Sequence, residues 1–176
     1  MTWTFVVLVV LAVVLWWFYV SWRASRLDRL HNRVEAARTA LDLALVRRSS
    51  AAAELASSGV LDPATSLLLA DAVRRTRQAG PGERDLAESD LTGALRATLG
   101  VPGLRAELAT DEGAEAMVAE VDAAAHQVFL ARKFYNDVAG RTLDARRRPL
   151  ARVLHLSGSA KPPQFFDIDD EMSAAA

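Results

Sequence analysis

Apolar positions dominate the first stretch of the chain without interruption. "WTFVVLVVLAVVLWWFYVSW" (residues 3–22) contains no charged residue, and it is about the ~20 residues that a helix needs to cross a bilayer. Trp16, Trp17, Tyr19 and Trp22 crowd its C-terminal end, where aromatic rings favour the headgroup region. A cleaved leader would carry a basic segment before the run and small residues at a cleavage site after it. Neither is present, so residues 1–22 read as a retained transmembrane anchor. No Lys or Arg precedes the run, and Arg23, Arg26, Arg29 and Arg33 follow it. The excess of positive charge on the cytoplasmic side then predicts a single-pass protein of the inner (plasma) membrane, N-terminus outside and residues 23–176 in the cytoplasm.

Beyond the anchor the pattern turns helical. No Pro or Gly occurs from Arg23 to Ser58. Leu27, Val34, Leu41 and Leu55 fall on one heptad line that Arg48 interrupts, and Leu30, Ala37, Ala44 and Ala51 form its companion. Such a coiled-coil-like seam packs lengthwise against other helices. Gly59 stops the helix, and Asp62-Pro63 reads as an N-cap with proline at the first helical position.

A second helix is predicted over about 63–78, with Leu67, Leu68, Ala70, Ala72 and Val73 as its apolar content. "AGPG" (79–82) breaks it. A third runs over about 83–99 with Leu86, Leu91, Leu95 and Leu99 on one side, and "GVPG" (100–103) ends it. Thr110-Asp111-Glu112 caps a fourth, which reaches about Arg148 with Val118, Val121, Ala125, Val128, Tyr135 and Ala139 as its stripe. Phe129, Asn136 and Leu143 flank that stripe. Helices one and four are each roughly 35 residues outside the bilayer, about 50 Å long. No segment alternates with period two. The expectation is all-α: an N-terminal transmembrane helix continuing into a cytoplasmic antiparallel four-helix bundle (residues 23–156) with a long two-helix stem. A Pro- and acid-rich tail follows over residues 157–176, solvated and poorly ordered at its end.

Composition then narrows the chemistry. The formal net charge is -1, so no bulk attraction to nucleic acid is expected. There is no cysteine, which removes disulfides, thiolate metal sites and thiol catalysis. His31, His126 and His155 lie on separate elements at no metal-ligand spacing. Asp167, Asp169, Asp170 and Glu171 lack the glycine and spacing of a calcium loop. "SGSAK" (157–161) matches neither a phosphate-binding loop nor a nucleophile elbow. Glu83, Arg84 and Glu88 do not make the clustered pattern of a nucleotide hydrolase. With no nucleophile, base and oxyanion site in view, no cofactor or metal is expected, and a hydrolase is the weaker reading.

Two polar residues on apolar lines call for an explanation. Arg48 either snorkels at the edge of the seam or makes a buried contact that fixes register. Asn136 raises the same question, because its amide competes with helical hydrogen bonds. It reads as a pin for helix pairing.

The chain resembles the LemA family of bacterial membrane proteins. The resemblance rests on the N-terminal anchor, "LHNRVEAARTALDLALVRRS" (30–49), "VDAAAHQVFLARKFYNDVAGRTL" (121–143) and "PPQFFDIDDE" (162–171). The family's Ala-Arg-x-Phe-Tyr-Asn signature is matched by Ala131, Arg132, Phe134, Tyr135 and Asn136. Its Tyr-Asn appears as His31-Asn32, its Arg pair as Arg47 and Arg48, and its aromatic pair plus acid as Phe165, Phe166 and Asp167. Where the family has Asp-Leu-Ile-Pro-Asn-Leu after the Arg pair, this chain reads "SSAAAELASS" (49–58). The resemblance implies an anchored cytoplasmic bundle, and the expected function is a non-catalytic scaffold or adaptor for a protein partner or for further copies of itself. Folding the charge pattern onto a returning helix adds a third expectation. Arg141, Arg146, Arg147, Arg148 and Arg152 would join Arg23, Arg26, Arg29 and Arg33 in a basic collar facing the anionic lipids of the inner leaflet. Glu107, Asp111, Glu112, Glu115, Glu120 and Asp122 would collect at the other end.

Overall fold

The computed structural model describes residues 2–147 and 162–170, with the side chains of residues 2, 20–28, 30 and 31 outside that description. Every regular element among the described residues is a helix: α1 (Thr2–Ser57), α2 (Pro63–Gln78), α3 (Arg84–Leu99), α4 (Leu104–Leu108) and α5 (Glu112–Arg147). The four expected helices are present, and α4 is an addition. It fills the expected turn after Gly103, whose φ of 86° suits a residue without a Cβ.

Each boundary has a local cause. With no Pro or Gly to interrupt it, α1 continues to Ser57 and ends at Gly59 in the left-handed region, φ 80°. The Asp62 carboxylate then accepts hydrogen bonds from the backbone N–H groups of Ala64 (3.0 Å) and Thr65 (3.1 Å), with Pro63 at the first helical position. Asp111 does the same for α5, accepting from Gly113 (2.8 Å) and Ala114 (3.2 Å).

Among the described residues no helix is long and apolar enough to cross a membrane. The described side chains of the N-terminal run stop at Tyr19, short of the ~20 residues a span requires. Every one of them from Trp3 to Tyr19 is exposed.

The chain divides into two compact units. One comprises Met1–Ala37 and Asp137–Phe165, the other Arg38–Asn136 and Phe166–Ala176. In the first, Val34 and Ala37 of α1 and Val138, Ala139 and Thr142 of α5 are buried. The Thr142 hydroxyl donates to the Val138 carbonyl (2.8 Å), which removes its cost of burial.

The second unit holds the main core, built on Ala52, Leu55, Leu69, Leu91, Leu95 and Val121, each 0% exposed. Fully burying a leucine contributes about 1.5–3 kcal/mol, and the many alanines between the leucines let helix backbones approach closely. The α1 seam is buried as the heptads predict, with Val34, Leu41 and Leu55 on one line and Ala37, Ala44 and Ala51 on the other, and the interrupting Arg48 is buried with them. Leu27 and Leu30 lie outside the described side chains. Asp42 pairs with Arg84 and Arg48 with Glu88, in the same order along both helices. α1 and α3 therefore run parallel, as alternate helices of an up-and-down bundle do.

The apolar content of α2 divides between core and solvent, and one predicted face, that of α3, is corrected. Leu67, Leu68 and Ala70 of α2 are exposed, and Leu69, Ala72, Val73 and Thr76 face the core. On α3, Leu86 is 69% exposed while Ala87, Glu88 and Thr92 join Leu91, Leu95 and Leu99 inside. Consecutive leucines cannot share one helical face at 100° per residue, and a polar residue completes each buried stripe.

Candidate functional site

The polar side chains of the second unit converge at two places. The first is Arg48, which is 0% exposed at the centre of the bundle. Its Nη1 donates to Thr92 Oγ1 (2.8 Å), and its Nη2 donates to both Glu88 Oε2 (2.8 Å) and the Glu88 carbonyl (3.1 Å). Nε has no partner among the described residues. Arg48 does not snorkel: α1 carries its guanidinium straight at α3, where Glu88 and Thr92 stand one turn apart. The Glu88 side chain is 4% exposed, so this carboxylate is sealed in its pair with Arg48.

The second place is a groove between α3 and α5, filled by the chain's own C-terminal segment. Residues 162–170 are in no helix or strand. Phe166, Ile168 and Asp170 point inward, and Phe165, Asp167 and Asp169 face solvent, the alternation of an extended strand. Asn136 grips the backbone of Phe166 on both sides: its Oδ1 accepts from the Phe166 N–H (2.9 Å) and its Nδ2 donates to the Phe166 carbonyl (3.0 Å). These two partners fix the amide orientation. One turn earlier on α5, Arg132 holds Asp170 with two hydrogen bonds, Nη2 to Oδ1 at 2.8 Å and Nε to Oδ2. From α3, Ser89 Oγ accepts from the Asp169 N–H (3.1 Å) and Arg96 Nη2 donates to the Asp169 carboxylate (2.9 Å). Ile168 fills the space between, 5% exposed.

This arrangement corrects two expectations. Asn136 does not pin one helix to another; it holds an extended segment. Nor is the acidic run a solvated tail, since Asp169 and Asp170 are both in ion pairs. Glu171 lies outside the described residues. Ser89, Thr92 and Arg96 escaped the sequence reading, and Glu88 entered it only in the rejected hydrolase pattern, although their spacing along α3 puts them on two adjoining stripes.

The other predicted residues are not brought into one site. Arg47 is exposed and donates to Glu120 (2.8 and 3.1 Å) and Gln127 (2.9 Å). The side-chain hydrogen bond raises the Arg47 pKa and lowers that of Glu120. Asp122 pairs with Arg105 rather than standing in an acidic cluster, and this contact raises the Arg105 pKa. Arg84 is tied to Asp42. Asn32 is exposed, Phe134 is exposed and Tyr135 is buried.

In the first unit, Arg29, Arg33, Arg141 and Arg147 are exposed, and Arg141 pairs with Asp137 (3.0 Å). Arg146 is half-buried. The side chains of Arg23, Arg26 and His31, and all of residues Arg148, Arg152, His155 and Ser157–Lys161, lie outside the description. His126 is exposed and stacks on Phe129. No group of side chains that could hold a metal ion occurs among the described residues. An open cleft of about 350 Å³ between α1 and α2 is floored by Ala53, Ala56 and Val73. Arg74 at its rim is already tied to Asp71 and Gln78.

The described residues form an all-helical bundle in which side chains of α3 and α5 hold the chain's own segment Phe166–Asp170. Comparison with protein-family models, curated proteins and solved structures returns no match.

Proposed function

We propose that the chain is a membrane-anchored, non-catalytic helical scaffold of LemA type, with residues 23–176 on the cytoplasmic side. The observation that carries this reading is the N-terminal part of α1. From Phe5 to Leu15 its large apolar side chains are 45–70% exposed around the whole circumference. A helix apolar on every side is covered by lipid or by protein in its working state. Residues 20–22, which complete the uncharged run, add the ~20-residue length that a bilayer asks for. Two stretches that carry the LemA resemblance meet, since Asn136 of "ARKFYN" holds Phe166 of the aromatic pair.

The test uses a chain without native cysteine. Thr2→Cys is expected to react with an impermeant maleimide on intact cells, and Ser157→Cys only after permeabilisation. Release of the full chain by alkaline washing of membranes, or labelling of Ser157→Cys from outside, overturns the reading.

A second reading, contact with anionic lipid, is favoured by one observation. Arg29, Arg33 and Arg147 are exposed in the same unit as the apolar run. With the full chain reconstituted into neutral and anionic bilayers, anionic lipid is expected to slow proteolysis near these residues, and added salt to reverse the effect. Equal cleavage in both bilayers removes this reading.

A further inference from the structure

We propose that the α3/α5 groove is an exchangeable peptide-docking site, and that it also accepts the Phe166–Asp170 segment of a second copy of this chain. The proposal deepens the scaffold reading, on which it rests, by naming the partner and the surface.

The contacts are of the kind by which folded domains read short extended motifs. Asn136 reads one residue's backbone, N–H and carbonyl together, and is indifferent to the side chain there. Ile168 is the single aliphatic anchor. Arg132 and Arg96 then select two consecutive acids, Asp170 and Asp169. Charge complementarity makes the site specific for an aliphatic residue followed by a pair of carboxylates, and it rejects a basic segment.

Nothing in these contacts depends on which chain supplies the segment. The same hydrogen bonds, ion pairs and buried isoleucine form in cis and in trans, which is the condition under which identical elements exchange between protomers at low cost. The segment is joined to α5 through residues 148–161, whose contour by residue number is at most roughly 50 Å. The tether also gives the cis segment a high effective concentration. Exchange is therefore expected to grow with the density of chains, and confinement to a bilayer provides that density.

The experiment uses full chains in a bilayer, each carrying a single new cysteine, with disulfide formation between chains as the readout. Ser89→Cys in one chain and Asp169→Cys in another lie on either side of the 3.1 Å contact. The chain carrying both substitutions sets the yield in cis. To remove competition from the cis segment, the Ser89→Cys chain also carries Arg132→Glu and the Asp169→Cys chain carries Asp170→Arg. Each variant then opposes its own segment, and only the trans combination restores a 132–170 ion pair. The expected result is a product between chains about fivefold or more above that from the same pair without Asp170→Arg, with the yield rising with chain density. Equal yields with and without Asp170→Arg overturn the proposal. If the charge-swapped chains lose their helical signal, the two single-cysteine chains decide the matter alone. Absence of product between them at every density, while the double-cysteine chain closes its own disulfide, overturns exchange. That outcome does not touch the topology that maleimide labelling tests, so failure of the exchange and failure of the anchored-scaffold reading are distinguishable.

Discussion

Asn136 on α5 holds Phe166 through both polar groups of that residue's backbone, at 2.9 and 3.0 Å. A helix side chain thereby does for one residue of an extended segment what a neighbouring β-strand would do. The amide is at home in the helix because its competing hydrogen-bond capacity is directed outward, to the backbone of Phe166.

Removing that grip has a defined consequence. Asn136→Ala and Asn136→Leu both leave the Phe166 N–H and carbonyl to water, and a loss of about 1–2 kcal/mol is expected. The amide protons of Phe166 and Asp169 should exchange faster in both variants, while those of the bundle core keep their protection. Unchanged exchange at Phe166 would show that the segment is held by its ion pairs and Ile168 alone.

The Arg48–Glu88 pair is a different case, since both side chains are almost fully buried. Breaking it from one side strands a charge. Arg48→Met and Glu88→Leu are each expected to cost about 3–5 kcal/mol. The double variant removes both charges and should recover most of that loss, as an apolar pair of similar volume does. Denaturant titration of the four proteins checks it. A single variant within 1 kcal/mol of the parent would mean that water reaches the charge left behind and rescues the site.

Much of this architecture was legible because the governing signals are local. The heptad line placed Leu41 and Leu55 on a buried seam and left Arg48 between them open to burial or snorkelling, and Asp62-Pro63 marked the start of α2. The misses share one cause. Counting apolar residues favoured Leu67, Leu68 and Leu86, whereas helical phase selects Leu69 and Ala87 and completes the buried stripes with Thr76, Glu88 and Thr92. The extended segment was hidden in the same way. Its inward positions are Phe166, Ile168 and Asp170, and an inward aspartate breaks the apolar alternation by which a strand is read. The partner that makes an aspartate acceptable there, Arg132, lies 38 residues away in sequence.

Two glycines near one another should respond in opposite directions. Gly93 lies inside α3 with open space where a Cβ would stand, so Gly93→Ala is expected to stabilise by about 0.5–1 kcal/mol through the lower entropy of the unfolded chain. Gly100 ends the same helix, and a Cβ there would lie 2.5 Å from the Arg96 carbonyl oxygen. Gly100→Ala must push that backbone aside and should lower the melting temperature. A rise in both would mean that the end of α3 relaxes freely.

The acid limb of stability follows from the carboxylates that cap and bridge the helices. At Asp62 the Thr65 side chain and then the Thr65 backbone N–H hold the carboxyl pKa below its ordinary value of 3.8. Asp71 beside Arg74 and Glu120 beside Arg47 are lowered in the same sense. A group whose folded pKa is depressed gives up its proton more readily in the native state than in the unfolded chain. Its stabilisation is complete above the unfolded value and disappears as pH falls through the lower folded value. Stability should therefore hold from neutrality down to about pH 5 and decline steeply below about pH 4. Asp62→Asn keeps an oxygen that caps α2 but cannot titrate, so the variant should match the parent near neutrality and lose less on acidification. Denaturant midpoints at a series of pH values measure this, and an unchanged acid slope in Asp62→Asn would assign the decline to the other carboxylates.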